Sequence, residues 1–376
     1  MGNLKEKKIN PEISCHFTYS AYDKARSSKQ RGFVGNLIQV NEEKLTVPYI
    51  QINLSNECNL HCPHCSQSTG FVKTSKLSMR EITKIFEIAR SLEAKEVTFS
   101  GGEPLLCKRL FFAIKQARDS GLGINIRTNG TLITESLLKK MDGKVKRIEI
   151  SLDGHLSSIH DKIRAPGCYE KICKVAPLIK EHEFTFAFIT TITKSNGCYV
   201  EDIINKAISL KADIIGVNAV IPTGNALINK EILLSPHEKK DLYETLHKVK
   251  RKFESQICII SEDPLFHIID NFKSGQKKED IIGGCIAGRA LMFGADGYIY
   301  PCSLLPIPVV HINDENVTNR LTESSIIKNL IQRKVRGKCG KCYYKELCMG
   351  CRAAAFGISN DYLSEDPSCW LELDPR

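Results

Sequence analysis

No stretch of this 376-residue chain keeps apolar residues together for the roughly 18 positions that a membrane-spanning helix needs. The start, Met1-Gly-Asn-Leu-Lys-Glu-Lys-Lys, is charged and has no apolar segment behind it, so it does not read as a secretory signal. Gly2 lacks the Ser or Thr that myristoylation wants at position six. There is no internal repeat, no low-complexity tract, no RNP-like aromatic run and no zinc-finger His pair. The basic residues are scattered, so neither a membrane nor nucleic acid is expected as a partner, and the expected location is the cytoplasm.

What is present is ordinary in bulk. Hydrophobic residues make up 42% and charged residues 26%, the composition of a folded globular chain. The length allows one large catalytic domain and a smaller appendage. The net charge of +10 comes mostly from lysine. A solvated lysine-rich surface accounts for it, and such a surface also suits an anionic substrate or an acidic redox partner.

The 16 cysteines are not ordinary. A reducing cytosol leaves few uses for disulfides, so clustered cysteines there more often bind metal. Six are dispersed, at Cys15, Cys107, Cys168, Cys173, Cys198 and Cys258, and read as small buried apolar side chains. The other ten fall into two groups.

Residues 1–46 carry few periodic signals and read as an N-terminal arm. From there apolar, β-branched runs alternate with helical patterns. Tyr49–Leu54, Glu96–Phe99, Ile124–Arg127, Arg147–Leu152, Phe184–Thr193 and Ile214–Val220 predict strands. Ser78–Leu92 and Lys108–Ser120 predict helices, the first opened by a Ser78/Glu81 capping box and the second stopped at Gly121. A further helix over Ser235–Phe253 and a strand near Ile257–Ile260 close this part. Six strand–helix units in series predict parallel strands with right-handed crossovers, as a doubly wound sheet or a barrel. Each strand runs into a polar or glycine-bearing loop, which is where a β/α barrel carries its chemistry. From about residue 283 the chain changes to glycine, cysteine and turn signals with little periodicity.

Cys58, Cys62 and Cys65 follow the first strand within eight residues, in Cys58-Asn-Leu-His-Cys62-Pro-His-Cys65. Three soft thiolates this close suit an iron–sulfur cluster. Zinc, with His61 or His64 as a fourth ligand, is the alternative. Three cysteines on four irons leave one iron open. The spacing resembles the radical SAM superfamily, in which the open iron chelates S-adenosylmethionine (SAM) and the cluster's electron cleaves it to a 5′-deoxyadenosyl radical. His64 departs from that pattern, which usually has an aromatic residue there. The resemblance implies a SAM-amino-group motif at Gly101-Gly102-Glu103-Pro104, where glycines admit a close ligand and a carboxylate pairs with an ammonium. It also implies that Ser151 and Arg164, the former within Ser151-Leu-Asp153-Gly154, hold the SAM carboxylate, and that Asn129 and Pro222-Thr223-Gly224 line the site.

The second group is Cys285, Cys302, Cys339, Cys342, Cys348, Cys351 and Cys369. Two Cys-x2-Cys pairs are typical of a zinc ribbon, but one closed zinc uses only four ligands. The pattern resembles the SPASM extension of radical SAM enzymes, which binds two auxiliary 4Fe–4S clusters. By that resemblance Cys339, Cys342, Cys348 and Cys369 hold the outer cluster, and Cys285, Cys302 and Cys351 the inner one. The stretch before Cys285 has no further cysteine, so the inner cluster takes an acidic ligand, water or substrate.

Over about residues 47–372 the implied fold is α/β: a partial (β/α)6 TIM-like barrel in residues 47–260, followed in 261–376 by a linker and a small cysteine-rich Fe–S domain. The implied activity is reductive cleavage of SAM and hydrogen abstraction from a substrate, with three 4Fe–4S clusters and SAM as cofactors. The run from Cys348 to Pro367 is similar to a subgroup that includes the enzyme of pyrroloquinoline quinone synthesis, mycofactocin maturase, and the decarboxylases of haem and haem d1 synthesis. A ribosomal peptide or protein being crosslinked, oxidised or epimerised is the expected substrate, and a decarboxylated tetrapyrrole the alternative. Ser303 after Cys302 speaks against sulfatase maturation, where an aspartate follows. The short arm suggests a separate leader-peptide recognition protein, and reduction implies a ferredoxin or flavodoxin. From another class, a non-catalytic electron carrier or zinc adaptor would have no use for Gly101–Pro104 or Ser151.

Overall fold

The computed structural model describes residues 45–68, 73–275 and 284–372. Cys15, nearly all of the N-terminal arm and residues 279–283 before the second cysteine group lie outside the described residues.

Seven strands alternate with helices: β1 (Tyr49–Asn53), β2 (Glu96–Ser100), β3 (Gly123–Thr128), β4 (Arg147–Ser151), β5 (Thr185–Ile192), β6 (Ile214–Ala219) and β7 (Cys258–Ile260). They pair in sequence order, all parallel, from Tyr49 opposite Glu96 at one side to Ile214 opposite Cys258 at the other. The expected six strands and the seventh are each present to within two residues of the sequence reading.

The period-2 alternation of a strand explains both how the sheet holds together and what it presents. Ile50 and Ile52, Val97 and Phe99, Ile124 and Ile126, Ile148 and Ile150 belong to the main hydrophobic core, under the helices. The intervening residues Gln51, Asn53, Thr98, Asn125, Arg147 and Glu149 are equally buried but polar. One face of the sheet is thus a conventional core and the other a polar interior. Buried polar groups cost free energy unless partnered, so a lumen of this kind marks a place kept for chemistry.

The helices obey local rules. In Met79–Ser91, residues Ile82, Ile85, Phe86 and Ala89 form a buried stripe at helical spacing. Ser78 Oγ accepts from Glu81 N at 3.2 Å, and Ser78 N donates back to Glu81 Oε2 at 2.7 Å. Helix Leu110–Asp119 stops before Gly121, whose φ of 73° is left-handed. Helix Pro236–Phe253 begins with a second capping box, Ser235 with Glu238, and proline in the first turn.

Three short strands escaped the sequence reading: β8 (Ala290–Phe293), β9 (Tyr298–Tyr300) and β10 (Val310–His311). They are too brief for alternation to register among glycines and turns. β8 pairs parallel with β1, Tyr49 opposite Ala290. The sheet therefore runs β10-β9-β8-β1-β2-β3-β4-β5-β6-β7, and β1 is interior instead of an edge. Among the described residues no helix is long and apolar enough to cross a membrane.

Loss of the first capping box tests the local reading. Ser78→Ala should lower stability by about 1 kcal/mol in urea unfolding followed by far-UV circular dichroism. An unchanged midpoint would mean that the cap carries no net free energy.

Candidate active site

The loop after β1 has no regular structure, and its carbonyls are satisfied by its neighbours. Gly102 N donates to Ser55 O at 2.9 Å and Glu103 N to Glu57 O at 2.8 Å. The contact is backbone on backbone: a Cβ on Gly101 would lie 2.5 Å from Ser55 O, and one on Gly102 only 2.0 Å from Glu57 O. Only glycine fits at either place. From the other side, Asn225 N donates to Cys65 O at 2.8 Å, Asn225 Nδ2 to Cys62 O at 3.0 Å, and Asn229 Nδ2 to Pro63 O at 3.1 Å. Gly224, at φ 56°, sits so close that a Cβ would approach Cys65 O to 2.3 Å. The loops after β2 and β6 thus clamp the cysteine loop between them.

Cys58, Cys62 and Cys65 line one cavity of about 270 Å³, together with Gly101, Gly102, Asn129, Ser151 and Arg164. Ser303, Leu304 and Cys351 from the second cysteine region line it as well. Gln67 joins the two sides, accepting from Asn53 Nδ2 at 2.7 Å and donating to Ser303 O at 3.2 Å.

Three of the expected site residues stand behind this lining. Glu103 is buried, and its carboxylate accepts from Thr128 Oγ1 at 2.7 Å, Asn129 N at 2.8 Å and Leu105 N at 3.0 Å. It joins the β2 and β3 loops, and neither it nor Pro104 lines the cavity. Asp153, fully buried, accepts from Arg164 Nε at 2.5 Å and Thr191 N at 2.9 Å. Burial alone would raise the Asp153 carboxyl, but the Arg164 guanidinium outweighs it and holds the group below its ordinary value. Arg164 in turn points Nη1 at Cys62 Sγ, 3.7 Å away. Burial pushes His64 down to about 4, with Arg164 adding to the shift, so its ring is neutral near pH 7.

The other cysteines form two sets. Burial pushes the thiols of Cys302 and Cys351 up, and Cys285 beside both adds to the rise. Burial likewise raises Cys339, Cys348 and Cys369, with further contributions from Cys342 on Cys339 and from Cys339 on the other two. The described cysteines are all free of disulfides. Of the dispersed ones, Cys107, Cys168 and Cys258 are buried, Cys173 half-buried and Cys198 exposed. Cys168 packs in a small cluster with Cys62.

Do these sulfurs fit iron–sulfur clusters? Among the described residues no three His, Cys, Asp or Glu side chains converge as the ligands of one metal ion do. A multi-iron cluster instead takes its thiolates at separate corners. Guanidiniums stand near several of the sulfurs. Arg352 is completely buried and donates to Tyr362 O at 3.0 Å and toward Cys339 Sγ at 3.7 Å. Arg333, 5% exposed, leaves Nη1 without a hydrogen-bond partner. Burial lowers its pKa, with Arg289 adding to the drop, while Cys285 and Cys348 oppose it. Buried cations need anions nearby, and cluster-bound thiolates are such anions.

Sequence reading had no signal for Asn225, Asn229, Gln67, Arg333 or Arg352. Breaking the central pair tests how the site is held. Asp153→Asn should destabilise the folded protein by roughly 3–5 kcal/mol by leaving Arg164 buried without its carboxylate. Thermal unfolding reads this, and a loss below about 1 kcal/mol would mean that Arg164 is solvated or paired elsewhere.

Comparison with known proteins bears on the same residues. The sequence profile of the Radical SAM superfamily matches residues 52–207. An AdoMet-dependent heme synthase of Methanosarcina barkeri is 28% identical over 84% of this chain and 94% of its own length. A PqqA peptide cyclase of Rhodopseudomonas palustris is 25% identical over 86% of each chain. The crystal structure of Streptococcus suis SuiB bound to precursor peptide SuiA superposes with a TM-score of 0.71 at 16% identity, over 88% of this chain and 77% of that one. Residues 52–207 are accordingly a radical SAM domain.

Proposed function

We propose that this protein is a SPASM-type radical SAM enzyme that modifies a peptide or protein. In this reading residues 47–260 are the catalytic barrel, and residues 261–376 are a linker and auxiliary-cluster domain. The observation that carries it is one cavity lined both by Cys58, Cys62 and Cys65 and by Cys351 of the second cysteine group.

Cys58, Cys62 and Cys65 would hold a 4Fe–4S cluster with one iron left for SAM. Cys339, Cys342, Cys348 and Cys369 would hold an outer auxiliary cluster, and Cys285, Cys302 and Cys351 an inner one. Bound there, the first cluster and SAM supply a 5′-deoxyadenosyl radical that can take hydrogen from an unreactive C–H bond.

The chain's own part is binding, orientation and exclusion of water. Gly101 and Gly102 keep the cavity wall at backbone height. Ser151 and Arg164, which line the cavity, would hold the carboxylate of SAM, and Asp153 pairs with the guanidinium. Asn129 Nδ2 donates to Asn59 Oδ1 at 2.9 Å, tying the β3 loop to the cysteine loop. Leu60, Ile189 and Leu304 give the cavity apolar wall, which limits water around a radical. A separate leader-peptide recognition protein and a ferredoxin or flavodoxin are the proposed partners.

A second reading, oxidative decarboxylation of a tetrapyrrole, draws support from the heme synthase similarity and from a guanidinium, Arg127, in the cavity lining.

Anaerobic reconstitution with iron and sulfide, followed by dithionite and SAM, tests the class. The expected result is 5′-deoxyadenosine by mass and nearly twelve irons per chain, four for each 4Fe–4S cluster. Zinc in place of iron with no deoxyadenosine would return a non-catalytic adaptor. Replacing Cys58, Cys62 and Cys65 with Ala should abolish SAM cleavage while the remaining iron stays bound, and retained cleavage would sink the ligand assignment. Replacing Cys339 and Cys342 should spare uncoupled SAM cleavage but stop turnover of substrate. Surviving turnover would mean that the outer cluster conducts no electrons.

A further inference from the structure

The polar interior of the barrel contains a charge arrangement that the SAM reading does not use. Glu149, on β4, is fully buried and accepts from two guanidiniums, Arg127 Nε at 2.6 Å and Arg147 Nε at 2.9 Å. Arg147 is 8% exposed, whereas Arg127 is 23% exposed and lines the cavity. Of the two guanidiniums, Arg127 is therefore the one that the cavity meets.

A carboxylate already sits at that outer edge. Glu262 Oε1 lies 3.5 Å from Arg127 Nη2, at ion-pair distance but loose beside the inner pair, and its side chain is 33% exposed. Its backbone is fixed from the next strand, Glu262 N donating to Asn218 Oδ1 at 2.7 Å. The other charged groups of the cavity are committed elsewhere. Asp263 is paired with Lys239 at 2.7 Å, and Arg164 with Asp153 at 2.5 Å. Among the described cavity residues, Arg127 is thus the guanidinium with one edge clamped and the other held by an exchangeable partner.

We propose that Arg127 is a substrate-carboxylate subsite, and that Glu262 is its resident occupant, displaced when a substrate carboxylate enters. Glu149 orients the fork through Nε and leaves the Nη edge for a charge-assisted hydrogen bond to the incoming group. Glu262 keeps the site neutral while it is empty of substrate and competes with weak anions. The inference rests on the cavity being the substrate cavity of the radical SAM reading. The carboxylate belongs either to a tetrapyrrole propionate or to an acidic residue of a peptide, and one experiment separates these sources.

Reconstituted protein would be titrated anaerobically with coproporphyrin III and its tetramethyl ester, read by fluorescence quenching. In parallel, acetyl-Gly-Gly-Glu-Gly-Gly-amide and its Gln counterpart would be titrated by saturation-transfer NMR. One acidic probe is expected to bind about tenfold tighter than its neutral partner, the worth of one charge-assisted hydrogen bond, and which probe does so identifies the source. Arg127→Gln should erase that preference, while Glu262→Gln should strengthen binding of the same acidic probe several-fold by removing the competitor. If Arg127→Gln fails to fold, Arg127→Lys, which keeps the charge without the fork, should retain only part of the preference. A preference that survives loss of Arg127, no preference with either pair, or Glu262→Gln weakening the acid would each overturn the subsite. Deoxyadenosine assayed in the same preparations separates the two levels. Deoxyadenosine without any carboxylate preference rejects the subsite alone, and its absence rejects the enzyme reading beneath it.

Discussion

An irregular loop inside a protein must find partners for its backbone, and the cysteine loop after β1 meets much of this demand from outside itself. Ser55, Glu57, Cys62, Pro63 and Cys65 all offer carbonyls to the loops after β2 and β6. That requirement explains why glycine stands at 101, 102 and 224, where side chains would collide with those carbonyls. It also explains why two asparagines, with amides that can donate to carbonyls, follow in the β6 loop. Three strand ends are thereby brought to one point, and the cavity is the space they leave.

Charge is the second organising quantity. The interior of this protein contains several guanidiniums, and each has a counterpart of opposite or potential negative charge. Arg164 faces Asp153 and Cys62, Arg127 and Arg147 share Glu149, and Arg352 and Arg333 stand against sulfur. Arginine suits these places because its planar fork can address two acceptors at once and stays charged when buried. The sulfur-facing pair is the more telling, since thiols offer little to a buried cation and thiolates offer a full charge.

The strands, their order and the glycine-bearing loops at their ends were legible because they depend on local alternation and short motifs. The ten grouped cysteines were legible because their spacing is itself local. What escaped depends on distance along the chain. Asn225 meets Cys62 across 163 residues, and Gln67 meets Ser303 across 236. Neither asparagine nor glutamine carries a local mark of such a role. Glu103 illustrates a different limit: the residue type was noticed, but its carboxylate is occupied by Thr128, Asn129 and Leu105, which only the folded arrangement reveals. β8 was invisible for the same reason, being four residues long and defined by its partner.

That partner is β1, and the pairing sets a timetable for synthesis. Tyr49 emerges from the ribosome far ahead of Ala290, with which it is aligned. At ordinary elongation speeds of about 5–20 residues per second, the separation amounts to on the order of ten to fifty seconds. Throughout that interval the strand that launches the cysteine loop lacks its β8 partner, and Cys351 has not yet been made. The thiols of the cysteine loop are therefore made well before the residues that complete the lining of their cavity.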